Sequence, residues 1–364
     1  MQKETIREVF PLVNSCTYLN TAANGLISKS IAKAGQESFQ DLLNDGSMYS
    51  DFFLKEKIVE LRRRACQMFD CNDQDLGIIP SFSHGLNLIL RGIPRKCKVV
   101  ILGEDYPSLT IPLERGDFET VSVQAKHNGF YDIDEIEQCI EEHKPDLFIC
   151  SHVQYNTGQL LPIERLAAFV KRLGTSIIID ATQSAGAIPI SLKNSLVDGF
   201  VFSNYKWLNS GFGSGLMLIK NSFFEKYPPK TGGYGSIEWE NGEMRIKQGI
   251  RQLEPAHLSK APLSALNEAI KLHLELGQES IYKHNKELLA KFLDATKGKL
   301  DILGSGNIDD YGCFCCIQDK NSKISIKLGG KNIIHTNRHN VVRIGFHFYN
   351  NEKDLNTVLN AILS

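Results

Sequence analysis

An α/β fold is predicted, in which a mostly parallel sheet with helices on both faces is followed by a smaller α+β domain. Three observations predict it. Short apolar runs alternate with helical patterns from about residue 76 to 220. The runs are apolar throughout instead of alternating with polar residues, as strands buried on both faces are. After about residue 258 this rhythm stops, and a long helical stretch leads into short strands.

The strands of the first part are expected at 99–102, 120–123, 147–151, 176–180, 199–203 and 214–219, with a further apolar run at 78–80. Helices are expected at 85–91, 133–143 and 163–173. In the last of these Ile163, Leu166, Ala167, Val170 and Leu173 recur at helical spacing and mark one apolar face. The second part predicts a helical stretch over 262–296, strands near 313–317 and 341–346, and a final helix over 352–363. The expected division is a large domain of residues 16–257 and a small one of 258–364, with 1–15 packing on the small one.

The chain has 364 residues, 42% of them hydrophobic and 23% charged, as in ordinary globular proteins. With 41 basic against 42 acidic residues, no polyanion-binding surface is indicated, which argues against nucleic acid as a partner. No run approaches the roughly 20 apolar residues of a membrane helix, and the first ten residues lack the apolar core of a signal peptide. A cytoplasmic location is the resulting expectation. Nine scattered cysteines argue against a disulfide framework. Cys313 and Cys316, followed by His335 and His339, loosely suggest zinc, but the interval between the pairs is too long. A buried strand with cysteines packed as small hydrophobes is the plainer expectation, and no metal site is assigned.

In sheets of this kind ligands sit beyond the carboxyl ends of the strands. The residues found there form a polar set. Ser81-Phe82-Ser83 opens a helix, where free N–H groups and the dipole favour an anion, although a serine there is often only a cap. Tyr106 follows 99–102, His152 follows 147–151, Asp180 and Gln183 follow 177–179, and Ser203-Asn204-Tyr205-Lys206-Trp207 follows 200–202. Lysine is seldom buried, and desolvation lowers its pKa toward the nucleophilic free amine that a Schiff base needs.

Asp180-Ala181-Thr182-Gln183, with Lys206 following 26 positions after Asp180, resembles the class V aminotransferase family of fold-type-I pyridoxal-phosphate (PLP) enzymes. The resemblance runs from Tyr18-Leu19-Asn20-Thr21-Ala22-Ala23 to the stretch from Val342 to Asn350. It implies a large domain with a seven-stranded-type sheet and PLP held by Lys206 as a Schiff base. It also implies that Asp180 pairs with the ring nitrogen, Gln183 bonds the phenolic oxygen and Tyr106 stacks on the ring. Ser81, the Phe82 N–H, Ser83, Ser203 and Tyr205 would hold the phosphate, while Arg343 and Asn24 would contact a small amino-acid substrate. A homodimer with shared active sites is implied as well.

Three departures from the family pattern bear on the reaction. Tyr106 stands where many members have histidine, and tyrosine is a poor acid near neutrality. The segment before Arg343 lacks the nucleophilic cysteine of desulfurases. Ala256-His257-Leu258 stands where the phosphate contact to a neighbouring subunit is usual, so His257 is the candidate replacement. Transamination is the leading expectation, ahead of kynureninase-like or epimerase-like chemistry, with desulfuration disfavoured. A nicotinamide-dependent dehydrogenase rests only on Gly211-Phe212-Gly213-Ser214-Gly215, which precedes a strand instead of opening a helix. A PLP-type fold kept as a non-catalytic binding module is opposed by the joint presence of Lys206, Asp180 and Gln183.

Overall fold

The computed structural model describes residues 3–364, with side chains from residue 6 onward. Its central sheet has seven strands in the order Leu76–Ile79, Gly215–Ile219, Gly199–Ser203, Ser176–Asp180, Leu147–Ser151, Lys98–Leu102 and Glu119–Val123. The last five run parallel, and Gly215–Ile219 is antiparallel to both its neighbours. Four of the five inner strands are buried at every residue, and the fifth, Lys98–Leu102, at all but Lys98, which is why their sequences read as apolar runs. Within Ser176–Asp180, Ile177 and Ile179 face one core and Ile178 the other.

A second sheet of three antiparallel strands, Phe314–Gln318, Val341–Gly345 and Thr336–Arg338, packs with the helices Gln278–Thr296 and Glu352–Leu363. The helix Lys3–Val9 belongs spatially with this part. Arg7 pairs with Asp354 at 2.7 Å, and Phe10 meets the rings of Phe348 and Tyr349. Thr17–Tyr18 then adds a parallel pairing with Ile333–Ile334.

The single helical stretch expected over 262–296 is two helices, Lys260–Leu276 and Gln278–Thr296. Gly277, at φ 78°, ends the first by donating its N–H to His273 O, and only glycine takes that conformation cheaply. Lys260–Leu276 packs on Lys29–Asp45 and Ile58–Phe69, two helices that the sequence reading did not propose. No helix among the described residues is long and apolar enough to cross a membrane.

Candidate active site

The polar residues expected beyond the strand ends surround one point, Lys206. The lysine follows Gly199–Ser203 in a turn fixed from several sides. Asn204 donates its N–H to Ser214 O, and Gly25 donates to Tyr205 O at 2.9 Å. Gly25 is required by close approach, since a β-carbon there would lie 1.7 Å from the Lys206 carbonyl oxygen. Trp207 is fully buried, and its indole N–H donates to Gln183 Oε1 at 2.8 Å. Gln183 in turn donates through Nε2 to Ala22 O at 2.9 Å. One amide thus ties together the 180–183 turn, the lysine turn and the N-terminal loop, and Nε2 keeps a second N–H for other use.

Lys206 is 6% exposed. Its Nζ lies 5.6 Å from the centroid of the Tyr106 ring and 5.7 Å from that of Tyr205. Burial, reinforced by the Arg343 guanidinium, brings its pKa down to about 7, against a weaker pull upward from Asp180. Asp180, 3% exposed, accepts the Thr182 N–H at 2.8 Å. Burial pushes its carboxyl up to about 7, because the Thr182 bonds only partly compensate the lost solvent. A buried amine and a buried carboxylic acid are therefore both poised near neutrality.

Behind them lies Asp105, which sequence reasoning missed. It accepts from Ser151 N at 2.8 Å, Ser151 Oγ at 2.5 Å, Gln154 Nε2 at 3.3 Å and Tyr106 N at 2.7 Å. It anchors the Tyr106 turn to the end of Leu147–Ser151, and burial raises its pKa as well. The Tyr106 ring meets Tyr155 edge to face at 5.3 Å.

Of the residues expected to hold a phosphate, Ser81, Phe82, Ser83 and Ser203 meet at the first turn of the helix Phe82–Gly92. Ser81 is its N-cap, and Ser203 Oγ accepts the Phe82 N–H at 2.8 Å. Ser83 lies one residue further along and is half-buried. Tyr205 stacks on Phe212 with centroids 4.6 Å apart. His257, expected to reach the phosphate of a neighbouring subunit, lies apart from the group in its own chain. It is exposed, 5.7 Å from the Tyr234 ring, and lines a groove of about 700 Å³ with Phe53, Leu54 and Ile237.

Arg343, on Val341–Gly345, is buried and donates to Tyr155 O at 3.0 Å, while its Nε has no partner. Asn24 adjoins Gly25 in the N-terminal loop, its carbonyl accepting from Tyr18 Oη at 2.7 Å. Arg338, exposed on the neighbouring strand and unremarked in the sequence, also acts on Lys206. Cys316 is closer to Arg343 than its place in an apolar run implied, since the two are directly paired across strands. It is fully buried nonetheless, and burial pushes its thiol up to about 12. Cys313 and Cys316 do not join the histidines: His335 bonds Ser325 Oγ at 2.8 Å, and no metal-capable group of three converges among the described residues. Gly211 to Gly215 leads into the strand Gly215–Ile219 and opens no helix.

These residues fit pyridoxal phosphate. A near-neutral buried amine, a buried acid, an aromatic face and a helix N-terminus with hydroxyls are what its aldehyde, ring nitrogen, ring and phosphate require. The comparisons agree. The family described as Aminotransferase class-V matches residues 17–305. A Bacillus subtilis (strain 168) protein named Uncharacterized aminotransferase YcbU is 24% identical, over 99% of this chain and 97% of its own. A probable cysteine desulfurase of Pyrococcus abyssi is 21% identical, over 99% and 96%. The apo structure of a cysteine desulfurase from Thermococcus onnurineus NA1 shares the fold with a TM-score of 0.87 at 20% identity, covering 98% of this chain and 96% of that one. With the match spanning most of the chain and the lysine turn built as described, this chain belongs to the class-V aminotransferase family and uses pyridoxal phosphate.

Proposed function

We propose that the enzyme moves the amino group of a small α-amino acid, with Lys206 as the residue that carries the cofactor. The observation that carries this reading is the near-neutral Lys206 amine, buried between two tyrosine rings and facing Asp180 and Arg343. When bound, pyridoxal phosphate supplies an electron sink for the bonds at the substrate Cα. Lys206 Nζ would hold the cofactor, and as a free amine it would take and return the Cα proton. Asp180 would serve the ring nitrogen, and Gln183 has a second N–H that would be available to the phenolic oxygen. Tyr106 would lie against the ring, and the helix start at Phe82 with Ser81, Ser83, Ser203 and Tyr205 would hold the phosphate. Arg343 would take the α-carboxylate in a bidentate pair, with Asn24 beside it.

Transamination is favoured over desulfuration by the cysteines. No cysteine lies between Cys316 and Arg343. Cys313, Cys315 and Cys316 are fully buried, and burial pushes each thiol far from its reactive form.

The test is borohydride reduction of the yellow protein followed by peptide mapping, with amino acids and 2-oxo acids then screened by mass. A pyridoxyl adduct on Lys206 and a transferred amino group are expected; an adduct on Lys193 or Lys220 overturns the assignment.

We also propose a homodimer in the cytoplasm. The hairpin of Ile237–Glu240 and Glu243–Ile246 exposes Trp239, Met244 and Ile246 next to the His257 groove, an apolar patch that a second subunit would cover. Nine free cysteines suit a reducing compartment. Light scattering giving an active monomer would remove the dimer.

A further inference from the structure

We propose that the substrate carries a second anionic group, with Arg343 taking the α-carboxylate and Arg338 the anion at the far end of the side chain. This rests on the reading of the site given above. Both arginines stand on one face of the small sheet. In the register of Thr336–Arg338 against Val341–Gly345, Thr336 is opposite Arg343 and Arg338 is opposite Val341. Residues directly opposite share a face, as do residues two apart along a strand. The two arginines are thus diagonal neighbours, roughly 7–8 Å apart at the backbone, which is within reach of side chains of this length.

Seven other arginines have carboxylate partners, among them Arg7 with Asp354, Arg62 with Glu254, Arg165 with Asp134 and Glu137, and Arg251 with Asp73. Among the described residues, no carboxylate forms an ion pair with Arg338 or Arg343. The exposed Arg63, Arg91, Arg115 and Arg172 form no ion pair with these residues either, and what sets Arg338 apart from them is its place beside Arg343. Arg343 has only the Tyr155 carbonyl and a 3.5 Å contact to Thr336 Oγ1, with Nε left over. The acids of the site are committed elsewhere, Asp105 to Ser151 and Gln154, and Asp180 to Thr182. The two cations instead act on each other and on Lys206.

Like charges held together without a counter-ion form an anion-attracting field. A monocarboxylate satisfies one guanidinium, whereas a dianion satisfies both. The planar fork of each suits a carboxylate or a sulfinate, so amino acids such as aspartate, glutamate or cysteine sulfinate are the class. The burial of Arg343 and the exposure of Arg338 set the order, with the backbone end of the substrate inside and its side-chain anion at the mouth.

The test uses unreactive ligands on the cofactor-loaded protein. Succinate, glutarate and butyrate are titrated by calorimetry, after the visible band of the lysine-bound cofactor has been recorded. A dicarboxylate is expected to bind about tenfold tighter than butyrate, the scale of one added charge-assisted contact. Arg338→Gln should bring that ratio close to one, and Arg338→Lys should keep part of it. Arg338 lies at an exposed sheet edge, and an unchanged melting temperature would verify that both variants fold. Equal affinities in the parent, or a ratio that survives Arg338→Gln, overturns the proposal. Absence of the visible band overturns the cofactor reading itself, and a band without dicarboxylate preference overturns this inference alone.

Discussion

Two buried charged clusters in this molecule are built on opposite plans. In the first, Arg62 donates to Leu76 O at 3.0 Å and to both oxygens of Glu254 at 2.5 Å, while Glu254 also accepts the Ile78 N–H at 2.7 Å. Each charge is matched, and the result fastens the edge strand Leu76–Ile79 to the chain near residue 254. In the second, Lys206, Asp180 and Arg343 are all buried, more so than Glu254, yet the amine rests on ring faces and a guanidinium nitrogen lacks a partner. The first cluster is complete within the fold. The second is completed only by something that binds, so the fold holds it at a cost that a ligand relieves.

The largest expected effect comes from Lys206→Ala. It should abolish the visible band and lower turnover by at least about a thousandfold, since it removes both the attachment point and the base. The cofactor-free variant should unfold no earlier than the parent, because a desolvated amine has been removed. A large drop in melting temperature would break the contrast with the first cluster.

Arg62→Ala should act in the reverse sense, costing about 1–3 kcal/mol in a denaturant titration, since it strips hydrogen bonds from Leu76 O and Glu254 and leaves the carboxylate only the Ile78 N–H and the longer 3.7 Å pair to Arg251. The fraction that folds should keep the visible band of the parent.

Asp180→Asn should retain the cofactor but slow the Cα proton transfer on the order of a hundredfold, as loss of the ring-nitrogen proton weakens the electron sink. Its stability should show a signed pH dependence. The folded carboxyl, at about 7, lies above its unfolded value of 3.8, so the parent loses stability as pH rises through that window. Comparing the two cofactor-free proteins at pH 5 and pH 8 should show the Asn variant gaining on the parent at the higher pH.

Lys206 has the opposite displacement, from 10.5 down to about 7. The rate of cofactor attachment should rise with pH and level off above about 7. Stability owed to this group should grow from there toward 10.5, as the unfolded lysine loses its proton. Arg343→Gln should move the inflection of the attachment rate upward, and stopped-flow absorbance would detect it.

The smallest effect is expected of Cys316→Ala, which should leave amino transfer within about twofold and change stability by only about 1 kcal/mol. Fast sulfide release from L-cysteine in the parent, lost in this variant, would restore desulfuration as the leading chemistry.

What the sequence made legible follows burial. The strands at 147–151, 176–180 and 199–203 were readable at their observed bounds because both faces are buried and nothing polar interrupts them. The hairpin of Ile237–Glu240 and Glu243–Ile246 went unread although Asn241-Gly242, both at positive φ, is a turn signal. Its strands are largely exposed and alternate charged with apolar residues, so a reading based on unbroken apolar runs passes over them. Lys206, Asp180 and Gln183 were findable because each follows a buried strand. Asp105 was hidden beside Tyr106, since nothing local reveals that it reaches across to Ser151. Arg338 was hidden for another reason: its strand is three residues long and lies among Lys327, Lys331, His335 and His339, so one cation stands out only once the register is known.

The pairing of Thr17–Tyr18 with Ile333–Ile334, and the contact of Gly25 with the lysine turn, also set a timetable for biosynthesis. The loop against the lysine turn is made well before its partner strand, which follows 316 residues later (333 − 17). At ribosomal rates of roughly 5–20 residues per second, that is a wait of roughly 15 to 60 s. During that interval the central sheet and Lys206 have emerged without their cover. A nascent chain is therefore expected to present a reactive amine before it can discriminate among aldehydes, and selectivity arrives only when Ile333–Ile334 has been made.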